Sequence, residues 1–240
     1  MTTDQTTDTA RREILSASLT LGIAVGVFGA VFGVGAVSAG ASVTQACVTS
    51  LLVFTGASQF SAVSVVAAGG STGAALGGAM LLAARNTVYG LTLAPIVGSR
   101  AATTSWGRRL VAAQFTIDET TAVATAQTRA DDQRYAFWTT GITVYVCWNV
   151  ATLVGALAGS AIDPETYGLD AAFPAGFVAM VAPHLRHRSG LLAGVLAAII
   201  CIALIPLTPV GVPILCAATA ILVGLPVARA DDLPTEPVIP

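Results

Sequence analysis

Residues 14–40 read ILSASLTLGIAVGVFGAVFGVGAVSAG, 27 positions without a single charge. A secretory h-region runs about 7–15 residues, so this stretch is too long to be one. A bilayer-spanning helix needs about 20 apolar residues. The stretch therefore predicts a first spanning helix, entered just after Arg11 and Arg12. Those two arginines faintly resemble a twin-arginine export signal, which the length of the following run argues against.

The rest of the chain has the same character. Of 240 residues, 55% are apolar and only 10% charged, against about 25% charged in a soluble domain. Mean hydropathy is +0.79. A chain this poor in charge cannot cover itself with a water-facing shell, so it reads as an all-α polytopic membrane bundle. Helices are the default because every backbone N–H and C=O must be satisfied inside lipid. No segment alternates apolar and polar residues as a β-barrel would. The net charge is −2 and all 11 cations are arginine. No basic stripe suggests nucleic acid.

Candidate spans are about 14–40, 45–68, 73–98, 136–160, 169–185, 190–207 and 210–228. Segment 110–127 is moderately apolar but carries Asp118 and Glu119. Residues 1–13 form a polar, disordered cytoplasmic lead, 14–228 the membrane domain, and 229–240 a flexible acidic, Pro-rich tail. Arginine placement puts the N-terminus in the cytoplasm, with Arg129, Arg134, Arg186, Arg188 and Arg229 on the same side. An eight-helix arrangement leaves Arg100, Arg108 and Arg109 outside. A six-helix arrangement, with 45–68 re-entrant and 110–127 in the interface, removes that violation. The expectation is six to eight transmembrane helices. An internal duplication is suggested by Gly22-Ile23 against Gly141-Ile142 and by Phe54 against Phe173, both 119 residues apart.

Polar residues interrupt the apolar runs at a few places. In LLAARNTVYGLTLAP, Arg85 sits beside Asn86, with Tyr89 one turn on. A charge at helix-centre depth costs about 2.5–3.5 kcal/mol on insertion scales. Arg85 should therefore face protein or water and meet an anion. Asp118 and Glu119 are the only acids between Glu13 and Asp131. They are candidates to pair with Arg85, to bind an ammonium group or to carry a proton. In LLVFTGASQFSAV, Thr55, Gly56, Ser58 and Gln59 suit either a broken helix lining a cavity or a continuous helix with interhelical hydrogen bonds. Trp148-Asn149 lies mid-span and reads as a pocket wall or as packing glue. Pro174 kinks its helix or occupies its first turn, with Asp170 as cap. His184 and His187 flank Arg186 in a positive cytoplasmic loop. Cys47, Cys147, Cys201 and Cys216 form no CxxC pair and read as small buried hydrophobes. No metal-ligand or catalytic motif is present, nor any P-loop lysine. The expectation is no enzyme, no cofactor and no metal.

Four stretches in order are similar to the AzlC-like branched-chain amino acid permease family: FTGASQF at 54–60, ARNTVYGLTLAP at 84–95, DET at 118–120 and LDAAFPAGFVAMVAP at 169–183. The resemblance implies the large subunit of a plasma-membrane permease exporting branched-chain or similar apolar amino acids, with a small AzlD-type membrane partner. Gln59, Arg85, Asn86, Tyr89, Asp118 and Glu119 fall on its motif positions. The chemistry agrees with a zwitterion carrying an apolar side chain. Arg85 or backbone N–H groups near Gly56–Gln59 would meet its carboxylate, and Asp118, Glu119 or Asn86 its ammonium. Apolar walls would accept the side chain. With no nucleotide site in view, proton-driven secondary transport through Asp118 or Glu119 is expected. The alternatives are a channel or ion-coupled transporter of another small solute, a membrane assembly subunit, and an enzyme acting on lipid-linked substrates.

Overall fold

The computed structural model describes residues 3–98, 105–161, 175, 178–179, 181–182 and 184–223. Among them there is no strand, and the chain is an all-α helical bundle. Its core is an apolar cluster that includes Phe32, Phe60, Phe137 and Trp148, joined by several buried polar side chains, while large apolar side chains also cover much of the outside. Ser18, Ser50, Gln59, Thr120, Thr140 and Thr152 are buried. Leu52, Met80, Leu91 and Ile202 each expose more than 70% of their surface. Lipid tolerates those side chains and gives helices no hydrophobic reason to associate, so hydrogen bonds and close packing must hold the bundle.

Helix α1 covers Thr3–Ser38. It begins well before Ile14, so the polar lead is helical where a disordered segment was expected. No Gly or Pro precedes Gly22, and Ala10-Arg11-Arg12-Glu13 are strong helix formers. Helix α8, Ala130–Ala161, packs against α1 along most of its length. The two run parallel. Gly22 lies against Thr143, Gly29 against Trp148 and Gly33 against Thr152. The backbones nearly touch: a Cβ on Gly33 would lie 2.2 Å from the Thr152 carbonyl oxygen, and one on Gly155 2.1 Å from that of Ala30. Below this contact the hydroxyls of Ser18 and Thr140 share a hydrogen bond of 2.8 Å.

Between α1 and α8 the chain forms α2 (Val43–Val53), α3 (Ala57–Ala67), α4 (Thr72–Ala83), α5 (Arg85–Gly98), α6 (Trp106–Gln114) and α7 (Asp118–Thr125). Among the described residues three segments are long and apolar enough to cross a membrane: Asp8–Ser38 in α1, Thr72–Gly98 through α4 and α5, and Ala130–Ala161 in α8. The remaining four helices make two hairpins that go halfway in and turn back.

The first hairpin, α2–α3, enters from the end of the bundle where α1 finishes. Ser50 donates to Asn149 at 2.7 Å, and the Leu51 carbonyl accepts from the Tyr145 hydroxyl at 3.1 Å, so α2 descends along α8. After the turn, Phe54 packs on Tyr145 while Phe60 reaches Phe32 and Trp148, so α3 climbs again. The second hairpin, α6–α7, enters from the opposite end. Arg108 lies over Trp138, and Phe115 reaches Tyr145. Gln133 near the start of α8 then donates to the Gln127 carbonyl just beyond α7, so the chain has returned. Segment 45–68 is thus re-entrant, as the six-helix arrangement supposes. Segment 110–127 belongs to a second re-entrant hairpin, neither a full span nor an interfacial helix. The hairpins also place Arg108 at the same end as Arg11, which stacks over Tyr135.

Helices α9 (Arg188–Leu204) and α10 (Val212–Ala217) pack on each other and α10 on α4. The readings made on Asp170, Pro174, Phe173 and the 229–240 tail lie outside the described residues.

Candidate functional site

The two hairpin tips meet halfway through the bundle, and each is a helix break. At the first, Phe54 takes φ +36° and Gly56 φ +58°, and the backbone turns sharply between α2 and α3. Gly suits such a conformation because it has no Cβ to clash. At the second, Phe115-Thr116-Ile117 separates α6 from α7. The same device closes both. Gln59 Oε1 accepts the Gly56 N–H at 3.2 Å, and Thr120 Oγ1 accepts the Ile117 N–H at 3.2 Å, in each case from three residues ahead. Gln114 donates to the Leu51 and Leu52 carbonyls, satisfying the end of α2 from the other hairpin. The first segment is therefore a broken helix; the continuous alternative does not hold.

Arg85 stands where the long span itself is interrupted, between Ala83 and Arg85. Its guanidinium touches both tips. Nη2 donates to the Thr55 carbonyl at 3.2 Å, and Nη1 pairs with Asp118 Oδ2 at 3.5 Å. A cation inside an apolar bundle thus finds the anion that its cost requires.

These groups line one cavity of about 250 Å³. Thr55, Gly56, Arg85, Asp118, Glu119 and Trp148 all contribute to its wall, with apolar surface from Val25, Phe28, Phe54 and Val144. Pockets for drug-sized ligands measure roughly 300–1,000 Å³, so this volume suits a smaller solute. Tyr89 lies within electrostatic reach of Arg85, Asp118 and Glu119. Trp148 is buried, and its Nε1 has no hydrogen-bond partner among the described residues.

Other expected residues stand behind the wall. Ser58 hydrogen bonds to Thr55. Gln59 is buried, bracing the tip and donating to the Thr49 carbonyl. Asn86 is off the cavity, its Oδ1 buried without a hydrogen-bond partner among the described residues. Asn149 is not brought to the cavity either. It joins Ser50 to the Tyr145 carbonyl and works as packing glue between α2 and α8.

One wall residue was not expected. His184, in a short 3-10 turn at His184–Arg186, also lines the cavity. Its flanking arginines mark a loop in the sequence, and composition says nothing about how deep a loop reaches. Among the described residues no cluster of His, Cys, Asp or Glu could hold a metal ion.

The family model described as AzlC protein matches residues 20–162, more than half of the 240-residue chain. The match takes in both hairpins, Arg85 and the whole of α8. No curated protein and no solved structure matches the chain.

Proposed function

This chain belongs to the AzlC family, and we propose that it is a secondary carrier exporting branched-chain and similar apolar amino acids across the plasma membrane. The observation that carries this reading is the composition of one cavity: a guanidinium, two adjacent carboxylates and an apolar wall. Those are the complements of a zwitterion with an aliphatic side chain. The carboxylate fits between Arg85 and the N-terminus of α3, where backbone N–H groups lack helical acceptors. The ammonium fits Asp118 and Glu119. Phe28, Phe54 and Val144 receive the side chain. One methylene is worth only about 1–3 kcal/mol in such a pocket, so leucine, isoleucine and valine are all accepted.

Charge counting supports proton-coupled exchange. With both acids ionised, Arg85, Asp118 and Glu119 sum to −1. Either a proton or a substrate ammonium removes that excess. The two compete for the same carboxylates, so one leaves as the other binds. Export then follows from protons entering as amino acid departs. The arginines at the end holding the N-terminus of α1 support a cytoplasmic assignment for that end. A small AzlD-type membrane protein is the partner we assign to the assembly.

The test is leucine transport in proteoliposomes holding this chain with its partner. Wild type is expected to show trans-stimulated counterflow, which a channel cannot give, and net movement driven by a pH gradient. Glu119→Gln is expected to keep leucine exchange and lose the pH-driven component. If Asp118→Asn and Glu119→Gln both retain unchanged pH dependence, the coupling assignment is wrong.

A further inference from the structure

A second cavity, about 410 Å³, lies between α5 and α6. Leu93 and Val97 give it an apolar wall, with Arg109 and Ala113 of α6 and Thr116 of the α6–α7 tip completing the lining. Thr116 borders this cavity while the next residue, Ile117, borders the central one. Along α5 the order is the same: Arg85 belongs to the central cavity, and Gly90 to Gly98 to the second. The two spaces follow one another along the bundle, divided at the α6–α7 tip. The second lies toward the end that holds the N-terminus of α1.

Its charge has one sign. Arg108 and Arg109 both border it. Among the described residues neither forms an ion pair. Arg108 stacks over Trp138 at 5.5 Å, so Arg109 is the bordering cation with no such partner among the described residues. No Asp or Glu occurs in the sequence between Glu13 and Asp118, so neither helix supplies an anion.

We propose that this second cavity is an entry vestibule that draws in the carboxylate end of an apolar amino acid, with Arg109 as the attracting group. The proposal rests on the amino-acid reading of the central cavity. A cleft of one charge with low-dielectric walls focuses field lines and raises the local concentration of the opposite charge. Leu93 and Val97 shelter the aliphatic side chain. No carboxylate holds the ammonium there, so the solute binds weakly and moves on, as a conducting path requires. The Thr116–Ile117 tip is the barrier it must pass.

The test is thiol labelling from the compartment facing the N-terminus, using Ala113→Cys and, on the opposite wall, Gly90→Cys. A Cβ at Gly90 meets nothing within 4 Å, so that variant survives if the first misfolds. Unmodified protein, with its four free cysteines, is labelled in parallel as the baseline. A sulfonate-bearing methanethiosulfonate is expected to react about tenfold faster than a trimethylammonium-bearing one. Arg109→Gln abolishes the preference and Arg109→Lys restores it. Salt at 1 M, where the Debye length is about 3 Å, also collapses it. Arg109→Gln further raises the KM for leucine counterflow at low salt, and leaves the maximal rate unchanged. Equal labelling rates, or no labelling from that side, overturn the proposal. A preference seen in phosphatidylcholine vesicles and lost on adding phosphatidylglycerol also overturns it, because a lipid phosphate then occupies the site. A persistent charge preference in protein that neither binds nor carries leucine supports an anion vestibule. The amino-acid assignment is then what is overturned.

Discussion

Arg85 holds one hairpin tip through a backbone carbonyl and the other through a carboxylate, and a substitution removes both contacts at once. The ion pair with Asp118 contributes little to folding: its side chains are 34% and 47% exposed, and such pairs are worth about 0–1 kcal/mol. A substrate carboxylate gives up more, since a hydrogen bond to a charged group is worth about 1.5–3 kcal/mol. Arg85→Gln is therefore expected to weaken leucine binding about 10–100-fold, at a factor of ten per 1.4 kcal/mol, while barely moving the melting temperature. Calorimetric titration beside a thermal melt checks both halves. A large loss of stability with unchanged affinity would make Arg85 a structural residue. Its pairing was legible in the sequence because acids are so scarce that Asp118 and Glu119 were the only candidates. The Thr55 contact was not legible, because any residue can offer a carbonyl. Nor was the depth of His184, or the role of Asn149, whose hydrogen bonds depend on which helix happens to face it.

At the scale of elements, small residues decide how α1 and α8 meet. At Gly33 and Gly155 the obstacle to a side chain is the partner's backbone, which cannot swing aside as a rotamer would. Gly155→Ala is expected to cost about 1–3 kcal/mol, the usual penalty for overpacking. Gly73→Ala, whose added Cβ meets only Ser71 Oγ at an ordinary 3.9 Å, is expected to be neutral or to stabilise by up to about 1 kcal/mol. Thermal unfolding in detergent separates the two. Equal effects would mean that α1 and α8 do not approach so closely. The helices themselves were readable from hydropathy, since an uncharged run of this length has one solution in lipid. Both helix breaks fell in stretches flagged for polar residues. The return of the first hairpin was one of two open arrangements, drawn from arginine placement, and that of the second escaped notice, because hydropathy records how apolar a segment is, not which way it runs.

Across the whole molecule, α1 and α8 run parallel in close contact, with Gly29 against Trp148 and Gly33 against Thr152. The α6–α7 hairpin enters from the opposite end to α2–α3. This arrangement makes a sided prediction. Thr44 and Thr72, at the starts of α2 and α4, both lie at the end where α1 finishes. Trp106 and Thr128, at the start of α6 and beyond α7, both lie at the other end. All four are exposed. Cysteines at Thr44 and Thr72 are therefore expected to react with an impermeant thiol reagent from one side of the membrane, and those at Trp106 and Thr128 from the other. If both hairpins instead crossed fully, the members of each pair would react from opposite sides. The central cavity would then lack the two tips that Arg85 joins, and the argument for an enclosed zwitterion site would fail with it.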